Sequence, residues 1–592
     1  LYQHQECVSA RCTQASIMTL RPTEYLTTLQ GDARGAEIAM DPGELGTSRQ
    51  TRHSFSRSLI RHAASGNWRV SKRVWDLDPE GVGHAIYHVD MNGPVVELVV
   101  FSHVIAGDMR NDRVIAQDWD VTATLVEGTV SNEDLAFLFR HVTKQEDGRA
   151  DHLSLIWGRA NRSQRFFNYV VDCLASGSQP QSDSVSDAAY ILRSTAFYGN
   201  GKWGLRDFDG IGADHPLGVP YRAQMLAAWL LREFSADLAE HCARSKSDSA
   251  IALDRQWRRY LGLGNATGLG MVPYVIRHPQ VLDAWVALGE LPLAHVLTQA
   301  WGSNSHQWAR VCALLERART YFSQKTSFTS DPYPAGPELA EMLNEAIAWA
   351  QEYQASGTLA GVAVSEAARA LHSLAAQRSI ELRQIVDSVL VEIDSSLDDD
   401  MEKLLRCTDR TRLEPAMSLG QLRRIMESNY DWVDSFDFGV SAETAKFWFY
   451  SRNNQEPRRG IRGKDKGLIT EHPVGIAKDV AQLMRDVGLC SPEWSVGEFL
   501  SLNPEHWGVV ERIQSLAGLE YTEARVNPLA DDFLPLDLQR FQLAVYGMEN
   551  FNPQSTDWLR VTLYAGAPTV EDVHEGIPVD DWLFLPRPEG VK

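Results

Sequence analysis

From Trp68 onward apolar and polar residues alternate with a period of two, in four runs: 68–78, 83–90, 95–105 and 113–126. Successive side chains on a strand point to opposite faces, so this alternation marks half-buried strands. Asp78-Pro79-Glu80-Gly81 and Met91-Asn92-Gly93-Pro94 separate the first three runs with strong turn residues. The pattern predicts an antiparallel meander of four strands. Pairing across 91–94 sets Asp90 opposite Val95, His88 opposite Glu97 and His84 opposite Phe101. Ala85, Tyr87, Val89, Val96, Leu98 and Val100 then form an apolar face for the core.

Elsewhere the period is helical. Helices are predicted at 53–64, from Ser131 toward His141, at 162–174 and over 220–242. A series of similar helices follows at 280–300, 305–323, 336–354, 362–376 and 378–390. A strand is expected at 190–197. Past 410 the pattern is mixed: a helix near 422–428, a strand over 446–450, a basic loop, another helix, and a strand near 558–564. The fold class is α+β: an N-terminal antiparallel β-meander packed with a large mainly helical unit and a mixed C-terminal region. The chain divides into a polar tail (1–50), a sheet with flanking helices (51–180), a mainly helical unit with glycine-rich loops (181–400) and a mixed α/β region (401–592).

Composition narrows the class. The 592 residues are 44% hydrophobic and 23% charged, as in ordinary folded proteins, and the 17 Trp argue for a large core. A net charge of −21 repels polyanions, which excludes generic binding to nucleic acid or anionic membranes. The 7 Cys are scattered without a C-x-x-C pair, as expected of reduced thiols in a cytoplasm. No secretory signal is read at the start, and Met18 could be the true start. No apolar run approaches a membrane span.

Two glycine-rich segments are the first candidates for chemistry. Tyr198, Asn200, Lys202 and Arg206 are interleaved with glycines and Trp203. Tyr198 or Lys202 is the proton-transfer candidate, and Asn200 and Arg206 are binding candidates, against a plain Asn200-Gly201 hairpin. In the second, Gly262, Gly264, Asn265, Thr267 and Gly268 follow Arg258 and Arg259. Read as a loop, it offers backbone amides and Arg259 to an anion; the competing reading is a close crossing of two helices. Its spacing is not that of a dinucleotide or P-loop motif. Arg458 and Arg459 form a third group that could clamp a carboxylate or phosphate, or lie solvated among the protein's own acids.

The fourth group is the sheet face opposite the core. There His84, His88 and Glu97 share one side with His103 diagonal to His84, a low-ranking metal set that leaves no metal as the expectation. No motif names a cofactor or a reaction. The reading is an enzyme acting on a small anionic metabolite at the two glycine-rich segments, cytoplasmic, without nucleic-acid or membrane partners. The alternatives are a non-catalytic scaffold or regulatory protein whose helical unit binds a protein partner, and a metal-dependent enzyme using the histidine face.

Overall fold

The computed structural model describes residues 32–45, 50–104, 119–143, 154–163, 165–185, 189–199, 215–219, 221–265, 279–298, 305–325, 335–355, 364–406, 413–431, 433, 446–451, 457–461, 468–472, 477–521, 540, 543–544, 546–555, 558–585 and 587–588. Part of the predicted tail is packed. Two short helices, α1 (Ala36–Ala39) and α2 (Pro42–Leu45), bury Ala39 and Met40 and lead to α3 (Phe55–Ser65).

The described part of the meander forms as the alternation dictates: β1 (Arg69–Leu77), β2 (Gly83–Asp90), β3 (Val95–Ser102) and β4 (Val121–Glu127), while 113–118, the expected start of the fourth run, lies outside the described residues. Asp90 pairs with Val95, His88 with Glu97 and His84 with Phe101. Asn92 and Gly93 take the positive φ that this hairpin turn needs, at 63° and 140°. After α4 (Asn132–Val142), capped reciprocally by Ser131 and Asp134, comes β5 (Ser154–Arg162), a strand that sequence reasoning missed. Then follow α5 (Phe166–Ala175), β6 (Tyr190–Gly199), α6 (Arg222–Lys246), α7 (Arg255–Tyr260) and β7 (Gly262–Asn265).

The predicted helical series is observed as α8 (Pro279–Thr298), α9 (Ser305–Ser323), α10 (Gly336–Ala355), α11 (Val364–Arg378) and α12 (Ile380–Val391), followed by α13 (Asp398–Arg406). Beyond lie α14 (Leu419–Asn429), β8 (Lys446–Ser451), β9 (Pro457–Ile461), β10 (Leu468–His472), α15 (Ala477–Gly488), α16 (Val496–Leu502) and α17 (Trp507–Ser515). The chain closes with β11 (Met548–Ser555), β12 (Trp558–Leu563) and α18 (Val570–His574).

Among the described residues, nine strands form one sheet in the order β1-β2-β3-β4-β5-β6-β7-β12-β11, and β10-β8-β9 form a second. Every neighbouring pair is antiparallel except β6 and β7. The large sheet thus draws strands from each of the three longer segments of the sequence. Helix α6 is buried on nearly every side, and its Leu226, Leu230, Phe234 and Leu238 share a core with Tyr87, Leu98, Leu125 and Leu263. On the other face α4 covers part of the sheet, where Leu138 and Val142 pack with Ile86, Val99 and Phe101. A second core joins α8–α12, with Trp308 Nε1 donating to the Ala350 carbonyl at 2.9 Å.

A third core holds α14–α17 and contains an internal duplication. Pro415-Ala-Met-Ser418-Leu-Gly420-Gln421 and Pro492-Glu-Trp-Ser495-Val-Gly497-Glu498 meet at a Ser418–Ser495 bridge. The Leu419 amide donates to the Trp494 carbonyl and the Val496 amide to that of Met417, both at 2.8 Å. Gly420 and Gly497 donate to the carbonyls of Pro492 and Pro415, both at 2.9 Å. Each serine then caps its helix in a reciprocal box with Gln421 or Glu498.

Candidate functional site

Strands β6 and β7 run side by side in the same direction, with Arg193 opposite Gly264 and Ser194 opposite Asn265. Both strands therefore head toward the same end of the sheet, β7 ending at Asn265 opposite Ser194 and β6 running on to Gly199. Tyr198 lies within β6, paired with Trp157 of β5. Asn200, Lys202, Arg206, Thr267 and Gly268 fall outside the described residues.

The loop reading of 262–265 is corrected: these residues form an inner strand between β6 and β12. Helix α7 before it is as expected. Leu263 is fully buried, and the glycines flanking it exist for close approach. A Cβ on Gly264 would sit 2.5 Å from the Tyr190 ring, and one on Gly262 would strike the Leu563 carbonyl and Thr562. Neither takes a positive φ. Period-two reasoning cannot register a strand whose alternate residues lack side chains.

Arg259 is held within the fold. Its Nε donates to Asp572 Oδ2 at 2.7 Å, and its carbonyl accepts from Arg232 Nη2 at 3.0 Å. Burial pushes the Asp572 carboxyl up, but hydrogen bonds from Arg259, the Thr569 amide and Arg255 outweigh it and hold it below the ordinary value. Arg232, buried in α6, gives its donors to the carbonyls of Arg258, Arg259, Leu261, Ala567 and Pro568. One guanidinium thus ties α6, the turn into β7 and the segment after β12 together. The basic loop is corrected too: Arg458 and Arg459 lie in β9, paired with Phe449 and Trp448 of β8.

Sequence reasoning missed a cation beside β6. Across β4, β5 and β6, Thr124, Trp157 and Tyr198 form one register row, and Thr122, Arg159 and Ala196 form another two residues along. The Arg159 guanidinium lies over the Trp119 ring, 4.3 Å from its centroid, and 5.9 Å from that of Trp157. Thr122 Oγ1 and Trp119 Nε1 are buried without a hydrogen-bond partner. The alternation Trp157-Gly-Arg159 was the available signal, hidden because β5 was not recognised as a strand.

The histidine face has the predicted register, but α4 covers part of it. Glu97 is fully buried and accepts from Arg73 at 2.7 Å and from the Val130 amide at 2.8 Å, with His88 Nδ1 at 2.9 Å. His84 lies 3.7 Å from Asp76. His103 lies tilted beside Phe139, their ring centroids 6.4 Å apart, and burial pushes its imidazole below the ordinary value. Among the described residues no group of three or more His, Cys, Asp or Glu could hold a metal ion.

A cavity of about 100 Å³ lies elsewhere, between the α1–α2 segment, α8 and α12. Trp285, Leu288, Leu293 and Val391 wall it, with Arg34, Glu44, Glu290, Arg383 and Asp387. Arg34 bonds Glu44 and, in a bidentate pair, Glu290; Arg383 also bonds Glu44. Among the described residues, none from either glycine-rich segment lines it. Among the described residues, no helix is long and apolar enough to cross a membrane, and Cys173, Cys242, Cys312 and Cys490 are free thiols. No protein-family model, curated protein or solved structure matches this chain.

Proposed function

We propose that this chain is a cytoplasmic enzyme acting on a small anionic metabolite, bearing a carboxylate or phosphate, bound where β6 and β7 end. The observation that carries the reading is the parallel pairing of those two strands, which directs both toward one end of the sheet. Ligand crevices in open sheets with parallel strands form outside the carboxyl ends, where neighbouring connections diverge. Arg159 supports the anion: a planar guanidinium backed by Trp119 suits bidentate contact with carboxylate or phosphate. Tyr198 and Lys202 remain the proton-transfer candidates of this reading, with Asn200, Arg206, Thr267 and Gly268 as its binding candidates. A net charge of −21 supports the absence of a nucleic-acid partner.

Ligand-observed NMR with succinate and glucose 6-phosphate tests the proposal on wild type, Arg159→Met and Lys202→Ala. Wild type is expected to bind one of the two probes. Both variants should weaken that binding at least roughly tenfold, about 1.4 kcal/mol, with melting temperatures close to wild type. Absence of binding by wild type, or unchanged binding in both variants, would sink it.

One observation favours a second reading, a scaffold that docks a protein partner. Leu489, Trp494, Leu502 and Trp507, all in the α14–α17 unit, are exposed by 88%, 39%, 68% and 51%. A pull-down in which Leu502→Lys and Trp507→Glu lose a partner that wild type retains would support it.

A further inference from the structure

Resting on the scaffold reading above, we infer that the α14–α17 unit docks a partner segment whose apolar side chains are flanked by Lys or Arg, as on a basic amphipathic helix. The first ground is the duplication. Continued without a gap, it pairs Met417 with Trp494, Ile425 with Leu502 and Tyr430 with Trp507, all apolar positions. In the first copy Met417 and Ile425 pack against the unit's core, and Tyr430 is fully buried. In the second copy all three counterparts are exposed. Pro504 supplies the physical reason. It stands where the first copy has Glu427, inside α14, and it has no N–H to continue a helix. Helix α16 therefore stops at Leu502, and Trp507 opens a new helix with its side chain in solvent. Leu502 and Trp507 flank the single turn Pro504–His506. The Leu489 amide donates to the Asp486 carbonyl at 3.2 Å, and the Asp486 carboxylate bonds His506 Nε2 at 2.9 Å, which brings exposed Leu489 to the same corner.

The second ground is the charge around that corner. Residues 477–521 carry seven Asp and Glu against three Lys and Arg, and of the three bases Arg512 is buried. Glu493 adjoins Trp494, Glu498 lies one helical turn before Leu502, and Glu505 stands two residues before Trp507. All three acids are exposed. An acidic rim around apolar anchors is complementary to Lys and Arg set around apolar side chains, the pattern of a helix laid on its apolar face. The same charge disfavours other occupants. A second copy meeting this face would set acids against acids, and an anionic lipid surface is repelled in the same way.

The test uses the full chain and three labelled model peptides: an amphipathic Leu/Lys helix, its Leu/Glu counterpart, and a Ser/Lys version without an apolar face. Fluorescence anisotropy at physiological ionic strength should show the Leu/Lys peptide binding wild type at least roughly tenfold more tightly than either of the others. Leu502→Ser/Trp507→Ser should weaken that binding at least roughly tenfold while melting close to wild type, since both side chains are exposed. Glu493→Gln/Glu505→Gln should weaken it severalfold and flatten its dependence on salt. Leu489→Ser, at the most exposed of these positions, decides in place of the double variant should that one unfold. The inference is overturned if wild type does not bind the Leu/Lys peptide, or if the Ser/Lys peptide binds equally well, which is attraction to a chain of charge −21 alone. Unchanged binding in Leu502→Ser/Trp507→Ser overturns it too. A Trp507-dependent partner in the pull-down, beside equal binding of the Leu/Lys and Leu/Glu peptides, would keep the scaffold reading and overturn the basic partner.

Discussion

Arg57 and Glu392, separated by 335 positions in sequence, form a bidentate ion pair with both side chains almost wholly buried. Arg57 also donates to the Asp580 carbonyl at 2.7 Å, so the pair joins α3, the end of α12 and the C-terminal segment. Arg52 adds to it, bonding Asp398 at 2.7 and 2.9 Å and Asp580 at 3.2 Å. Glu392→Ala leaves a buried guanidinium without its carboxylate, which costs about 3–5 kcal/mol. The denaturation midpoint should fall sharply. The double variant Arg57→Met/Glu392→Leu should recover much of the loss, because no uncompensated charge remains. A double variant no better than Glu392→Ala would show that packing, not charge, holds this junction.

Gly264→Val drives a branched side chain into the Tyr190 ring. An overpacked inner strand loses about 1–3 kcal/mol or more, so the melting temperature should drop. Gly508→Ala is the control: it lies in α17 with nothing near its Cβ, and it should be neutral or slightly stabilising. Equal melting of the two variants would refute the close-packing role.

Arg259→Ala removes one of the donors that hold Asp572 below its ordinary value. A depressed carboxyl gives stability that is present above its unfolded value and lost as pH falls through the folded one. The variant should lose about 1–3 kcal/mol at pH 7 and differ less from wild type in acid. Melts at pH 7 and pH 3 check this. A pH-independent difference would assign Arg259 to packing alone.

Glu233 behaves in the opposite sense. Burial in α6, with Asp237 and Asp572 near, outweighs Arg232 and Arg258 and pushes its carboxyl from 4.5 up to about 7. The folded state therefore holds the proton more tightly than the unfolded chain. Its contribution is fully present below pH 4.5 and is lost as pH rises to about 7. Glu233→Gln should gain stability over wild type at pH 8, by at most about 3 kcal/mol, and little at pH 4.5. Paired melts at the two pH values decide the sign.

The duplicated caps should be equivalent. Ser418 accepts from the Gln421 amide and Ser495 from the Glu498 amide, each at 3.2 Å. Ser418→Ala and Ser495→Ala should each cost about 1 kcal/mol. Proton-exchange protection in α14 and α16 is the readout; loss confined to one helix would show the duplication to be sequence similarity without equal load.

The sequence by itself determined the elements whose signal is local. The β2–β3 register was legible because Asp90, Asn92 and Gly93 define the turn, and a one-residue slip would turn Val89, Val96 and Leu98 out of the core. Helices α8–α12 were legible within about two residues, because a 3.6-residue apolar period needs no partner to be seen. Tertiary structure alone decided the rest. Whether Gly262-Leu-Gly264-Asn265 is a loop or a strand depends on Tyr190, Thr562 and Leu563, which lie far away in sequence. The availability of a charge is equally non-local. In sequence Arg259 stands open to a ligand, and only the fold brings Asp572 to it, just as it brings Glu392 to Arg57.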